Sequence, residues 1–424
     1  MNVCRIGSTP GLRGRVPVLL GSALAASTLM LSGCASSDPA PTPGSDATTE
    51  AAPDSPAPRS PAPTGDERGS LVADILLGQV DQAVTNLGAT AHRITYRSTS
   101  GVDGGGVDVT GTVFVPAGTP PEGGWPVVSV GHGTTGVTDE CAPSLYPNLL
   151  GSIGLVTPML ERGAVVAVTD YQGLGTDDPH PYLNAPSAGH DIIDAVRAAR
   201  NVAPGSGTRW AALGVSQGGQ ATWAAAEMAS EYGDGLEFLG SANLSPAADI
   251  SPIAPESGLG QLTLPQKAIM PFVVEGFLVD HPEYTDADFL SGGLLENKDV
   301  LLACTGPLAA GKLTAAGSIG PDDVRPSSPE AYAAIREWLS DNALPQGRAA
   351  APMMVLVGSR DDLILPQWTE EASRRACAQG DVIDYRVRAD QGHADSAANI
   401  EGIDWITQRF AGTGQPTNTC DQVP

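Results

Sequence analysis

Three residues of this chain could together activate a hydroxyl group: a serine in "LGVSQGG" (Ser216), an aspartate in "VLVGSRDDLILP" and a histidine in "RADQGHADSAAN" (His393). A serine hydroxyl is a weak nucleophile until a base takes its proton, and the base needs an acid that fixes its tautomer and orientation. The bare pattern Gly-x-Ser-x-Gly carries little weight among 51 glycines in 424 residues. The elements around it have to decide.

The run "WAALGV", Trp210 to Val215, reads as a buried strand, and "QATWAAAEMASEY" reads as a helix. Ser216 therefore falls at a strand-to-helix corner, with Gly214 and Gly218 small enough for helix and backbone to approach each other. At such a corner the partners follow in the order serine, acid, histidine. Only His281 and His393 come after Ser216. His281 lies in a long inserted segment and His393 just after the last predicted strand, so His393 is the expected base. The acid belongs in the loop after the preceding strand, where Asp361 and Asp362 both stand. Spacing from Gly358 favours Asp361 and spacing to Pro366 favours Asp362. Asp361 is preferred, leaving the other as a solvated or loop-capping carboxylate.

Two other stretches compete. In "SVGHGTTG", Gly131, Gly133 and Gly136 satisfy the dinucleotide fingerprint G-x-G-x-x-G. The adjoining "VTDECAPSLYPN" lacks the helical period needed to hold a pyrophosphate, and Asp170 stands well beyond the usual offset of about 20 residues. The better reading is an oxyanion loop after the third strand, where the backbone N–H of Thr134 joins that of Gln217 and His132 is structural. "TDYQGLGTDDPHPY", with His180 and nearby His190, matches no metal-ligand spacing and reads as a turn lining the site entrance. No cofactor is required by this chemistry.

Short apolar runs ("PVVSV", "AVVAVTD", "WAALGV", "LEFLGSANLS", "PMMVLVG", "VIDYRVR") alternate with helical patterns such as "GHDIIDAVRAARNV", "TEEASRRACA" and "SAANIEGIDWITQRF". Strands apolar on both faces belong to a mostly parallel sheet, so the expected class is α/β, doubly wound. "HRITYRST" and "VDVTGTVFVP" read as an antiparallel hairpin opening the domain. The hundred residues between "NLSP" and "APMMVLV" are too long for a loop and predict an inserted helical cap. The division expected is a core over 71–246 and 350–424 with the cap at 247–349.

Residues 1–33 carry Arg5, Arg13 and Arg15 before an apolar run and read as a targeting segment. Its end, "LSGC", resembles a bacterial lipoprotein signal, which would leave Cys34 lipidated at the new N-terminus. An ordinary secretory signal or an uncleaved anchor are the other readings, and all three place the protein outside the cytoplasm. Residues 34–70, with eight prolines after Cys34, read as a disordered tether. Without the three arginines the net charge is near −28, which disfavours nucleic acid, and Lys267, Lys298 and Lys312 are the only lysines, which disfavours a polybasic membrane patch. Cys141, Cys304, Cys377 and Cys420 remain, an even number in an oxidising compartment, with three possible pairings.

From about Ser70 to Asp421, the ordered stretches "GHGT", "TDYQGLGT", "HPYL", "DAVRAAR", "GVSQGG", "GSRDD" and "GHADS" resemble the motifs of the secretory lipase family. These α/β-hydrolases include fungal lipase A-type enzymes and many actinobacterial exported proteins. The resemblance implies Ser216 as nucleophile, Asp361 as acid, His393 as base and a cap that forms an acyl-binding pocket. It also implies the pairs Cys141–Cys304 and Cys377–Cys420. A lipid-anchored carboxylic ester hydrolase, a lipase or esterase acting through an acyl-enzyme on acyl-ester or lipid substrates, is the expectation; a lipid anchor departs from the freely secreted fungal members. An acyltransferase or peptidase with the same triad is one rival, and a non-catalytic envelope-binding lipoprotein is the other.

Overall fold

The computed structural model describes residues 67–254, 261–393, 395–413 and 416–423. The expected targeting segment, Cys34 and all but the last four residues of the expected tether lie outside the described residues. Those four already pack on the body: Gly69 N–H donates to the Arg97 carbonyl at 2.8 Å, and the Arg68 guanidinium stands 4.1 Å from the Tyr232 ring centroid. The folded part thus starts slightly before the composition changes.

Nine strands form one sheet: β1 (Leu71–Leu76), β2 (Thr90–Thr99), β3 (Gly106–Val115), β4 (Trp125–Gly131), β5 (Val165–Thr169), β6 (Ser206–Val215), β7 (Glu237–Leu244), β8 (Met353–Gly358) and β9 (Ile383–Arg388). Their spatial order is β1-β2-β3-β5-β4-β6-β7-β8-β9. The β2–β3 hairpin is antiparallel in unbroken register, and from β5 to β9 every neighbouring pair is parallel. The hairpin does not open the sheet, because β1 pairs antiparallel with β2 ahead of it. "LVADIL" is short and half-exposed, which is why its pattern is weak.

Alternating residues of the central strands feed two opposite layers. Val127, Trp210 and Ala212 join Ile192, Ile193 and Val196 of α3 (Ala185–Val202) and Ala221 and Ala225 of α4 (Gln217–Tyr232). Val128, Val130, Ala211 and Leu213 join Val84 of α1 (Gln82–Asn86), Met159 of α2 (Ile153–Glu161) and, from the C-terminal helix Ser396–Ala411, Trp405 and Ile406. This two-faced burial, worth roughly 1.5–3 kcal/mol for each fully buried Val or Leu, is the physical content of strands apolar on both sides.

Between β7 and β8 the chain leaves the sheet. It forms α5 (Leu264–Asp280), α6 (Gly292–Glu296), α7 (Lys298–Leu302), α8 (Gly306–Ala309), α9 (Lys312–Gly317) and α10 (Pro329–Asp341), then returns to α11 (Pro366–Ala378) and α12, the C-terminal helix. Thr263 and Gln266 form a reciprocal capping box at the start of α5. The insertion has its own apolar cluster, including Phe272, Phe277, Phe289, Leu294, Ile335 and Trp338. Its neck closes where Leu344 N–H donates to the Ala248 carbonyl at 2.7 Å. Two disulfides brace the whole: Cys141–Cys304 ties the segment after β4 to this insertion, and Cys377–Cys420 ties α11 to the C-terminal segment.

Candidate active site

Ser216 occupies the single residue between β6 and α4 with φ +59° and ψ −118°, a backbone region that L-residues rarely adopt. Close main-chain contacts hold it there. A Cβ on Gly214 would come within 2.1 Å of the Gly218 carbonyl oxygen, and one on Gly218 within 2.0 Å of the Gly131 carbonyl oxygen. Ser216 N–H donates to the Leu244 carbonyl at 2.9 Å, so the neighbouring strand β7 fixes the corner as well.

Beyond this corner stand the two other expected residues. His393 Nε2 lies 2.8 Å from Ser216 Oγ, and His393 Nδ1 lies 2.7 Å from Asp361 Oδ2. Asp361 is buried, and its second oxygen accepts the backbone N–H groups of Leu363 and Ile364, each at 3.0 Å. Asp362 is exposed, its carbonyl accepting from Thr263 Oγ1 at 2.7 Å. Of the two aspartates, the buried Asp361 is the one in contact with the imidazole. The other late histidine, His281, stacks on Phe277 in the insertion with ring centroids 4.5 Å apart, far along the chain from this cluster. A hydroxyl, an imidazole and a carboxylate in unbroken hydrogen-bond contact can pass the serine proton to the imidazole as the oxygen attacks an electrophile.

Two backbone donors next to this spot have no acceptor among the described residues: the N–H of Thr134, which lines the same pocket as Ser216, and the N–H of Gln217, first residue of α4. Two of the three glycines of the competing dinucleotide pattern have local reasons instead. Gly131 admits Gly218 and a Cβ on Gly136 would strike Cys141 Sγ at 2.2 Å, whereas one on Gly133 would meet only ordinary contacts, 3.9 Å from Ser216 Cβ. His132 is fully buried, with Nδ1 2.7 Å from the Gly133 carbonyl, as a structural residue should be.

The "TDYQGLGTDDPHPYL" stretch is a wall rather than a rim. Tyr171 to Leu174 and His180 to Asn184 are buried, and only the tip between them reaches solvent. His180 donates from Nδ1 to the Gln172 carbonyl at 2.6 Å and accepts at Nε2 from the Gln217 side chain at 3.1 Å; burial pushes its pKa down to about 4. It is a neutral brace for the residue after the serine. His190 stacks on Tyr232 elsewhere, 4.1 Å between centroids. Among the described residues no group of three or more His, Cys, Asp or Glu could hold a metal ion.

An apolar pocket opens beside Ser216, lined by Thr134, Tyr182, Leu183, Ala247, Ile250, Ile253, Ile269, Leu363, Ile364 and Trp368. Ile269 comes from α5 of the insertion, so the cap forms part of the wall. Reading the sequence alone singled out Thr134 among them and quoted Tyr182, Leu183, Leu363 and Ile364 only within longer motifs, and it assigned none of them to a pocket wall. Isoleucines and leucines carry no signal that separates a pocket lining from a core.

An α/β-hydrolase fold with an inserted helical cap is what these elements define. Its solved likenesses include the closed-state Candida antarctica lipase A (TM-score 0.66, 17% identity, 82% of this chain and 84% of that one) and the rice cell wall degrading esterase LipA from Xanthomonas oryzae (TM-score 0.60, 20% identity, 81% and 96%). At sequence level residues 152–291 match the secretory lipase family, which bears out the resemblance drawn from the motifs. A secreted triacylglycerol lipase of Malassezia globosa is 28% identical over 190 residues, covering 41% of this chain and 38% of that protein. A probable inactive lipase of Mycobacterium tuberculosis is 30% identical over 186 residues, covering 41% and 40%. The chain therefore matches about two fifths of the length of these curated relatives.

Proposed function

We propose that the protein is an exported serine hydrolase that cleaves carboxylic esters, with an acyl chain lodged in the pocket beside Ser216. The observation that carries this reading is the continuous contact from Ser216 through His393 to Asp361 at the mouth of an apolar pocket. Ser216 Oγ attacks the ester carbonyl while His393 Nε2 takes its proton, and the imidazolium returns that proton to the departing alcohol. Water, deprotonated by His393, then attacks the acyl-enzyme, releasing the acid and restoring the Ser216 hydroxyl. Asp361 holds Nδ1–H, and the Thr134 and Gln217 N–H groups receive the oxyanion of each tetrahedral intermediate.

The same reading assigns residues 247–349 to a cap that supplies the acyl pocket, residues 1–33 to a lipoprotein signal and Cys34 to lipid attachment, with 34–70 as tether to the outer face of the cell membrane. The probable inactive relative makes activity the point to test. The assay is hydrolysis of p-nitrophenyl esters by the purified domain, with fluorophosphonate labelling. Loss of both in Ser216→Ala is expected; undiminished turnover by that variant would overturn the proposal. Acyl transfer to an envelope acceptor would show as transfer product from the same acylated donor.

A further inference from the structure

The pocket holds a polar pair that the ester-cleavage scheme does not use. Thr134 Oγ1 and the Tyr182 hydroxyl lie 2.7 Å apart, and both residues line the pocket with Ser216. Neither oxygen has another hydrogen-bond partner among the described residues. One hydroxyl hydrogen joins the two, so the other is left to point elsewhere. A phenol is the stronger donor of the two. With Tyr182 donating to Thr134 Oγ1, the free hydrogen belongs to Thr134, whose backbone N–H the ester-cleavage scheme assigns to the oxyanion.

Tyr182 is in turn held from the cap. Its ring is buried against Phe272 of α5, 5.9 Å between centroids, and stands edge-on to His180 at 6.0 Å. Helix α5 approaches so closely that a Cβ on Gly276 would lie 2.2 Å from the Tyr182 carbonyl oxygen. The phenol has little freedom to turn away.

We propose that the Thr134 hydroxyl is a third hydrogen-bond donor to the tetrahedral oxyanion and that Tyr182 is the positioning residue that aims it. The inference rests on Ser216 being the nucleophile. Hydrogen bonds alone are made and broken, and the strongest forms as the carbonyl oxygen gains charge, so the donor raises kcat rather than lowering KM.

The test is kinetic. Thr134→Val keeps the shape and the backbone N–H, and is expected to lower kcat for p-nitrophenyl butyrate about 10²-fold with KM changed less than about threefold. Thr134→Ser should recover most of the rate, a restoration that packing alone does not predict. Tyr182→Phe keeps the ring and should cost about tenfold, and the double variant should be no slower than Thr134→Val, because both act through one hydrogen bond. Affinity for an alkylboronic acid, which forms a tetrahedral adduct on the serine, should fall in parallel with kcat. If Thr134→Val turns over at the wild-type rate while Ser216→Ala is dead, the third donor is wrong and the nucleophile stands; if Ser216→Ala is active, the underlying reading falls. Should Thr134→Val fail to fold, Tyr182→Phe with an unchanged rate overturns the proposal by itself.

Discussion

The corner that carries Ser216 and the insertion that roofs it are built from different materials. At the corner, main chain meets main chain: Gly131, Gly214 and Gly218 leave no room for a single added carbon, and the serine sits at positive φ. In the insertion, side chains meet side chains: Phe277 alone has Phe289, Trp338, Tyr284 and His281 around it, with centroids 4.5–5.9 Å away. The first construction fixes atoms to within the tolerance of bond formation. The second encloses a volume and admits many sequences that fill it. On the proposed reading the chemistry belongs to the first, while the second adds Ala247, Ile250, Ile253 and Ile269 to a pocket whose other walls come from the core.

The largest effect that would break this division lies on the core side. Asp361→Asn should lower kcat about 10⁴-fold by favouring the wrong imidazole tautomer, whereas Asp362→Asn should remain near the wild-type rate; the pair is read from initial rates on one ester. A change at Asp362 as great as at Asp361 would remove the assignment. Next comes folding: Gly218→Ala should destabilise by about 3 kcal/mol or more through the clash with Gly131, seen as a lower denaturation midpoint. On the cap side, replacing both Cys141 and Cys304 by Ala should cost about 3 kcal/mol of stability and leave the rate per folded molecule little changed. Smaller still, Ile269→Trp should narrow the pocket and shift kcat/KM towards short acyl chains by about tenfold, with boronic acid affinity preserved for the smallest inhibitors. If chain-length preference does not move, the pocket is not where the acyl group sits.

The smallest test concerns pH and belongs again to the core. Asp191 of α3 is buried, accepts the Gln172 N–H at 2.8 Å, and has its carboxyl pushed up to about 7 by burial. The unfolded carboxyl titrates near 3.9, so between about pH 4 and 7 the folded state binds the extra proton and stability declines as pH rises. Asp191→Asn should flatten that decline, reducing the difference in Tm between pH 5 and pH 8 by about 5 °C.

The sequence made the core readable for the same reason that the core is unforgiving. Glycines at Gly214 and Gly218, a serine between them and a histidine after the last strand are types with few substitutes, and strands apolar on both faces announce a parallel sheet. The preference for Asp361 over Asp362 rested on spacing alone, because two adjacent carboxylates differ only in which one the following turn points inward. "LVADIL" at the half-exposed sheet edge and "IGLVTPMLE", with Pro158 inside its helix, lacked a clean period. The pocket was illegible because Ile250, Ile253 and Ile269 converge only through packing between the insertion and the sheet.

The Cys141–Cys304 bond adds a mechanical consequence. The insertion is joined to the sheet at the neck closed by Leu344 and Ala248, stitched by this disulfide to the segment after β4, and held along α5, where Thr263 Oγ1 and the Gln266 side chain donate to the Asp362 and Leu363 carbonyls. A rigid body held at three separated places keeps no hinge axis, so the insertion moves with the sheet as one piece unless some of these hydrogen bonds open. Of the ties beyond the chain itself only the disulfide is covalent, so it still keeps Cys304 beside the segment after β4 when the hydrogen bonds have opened.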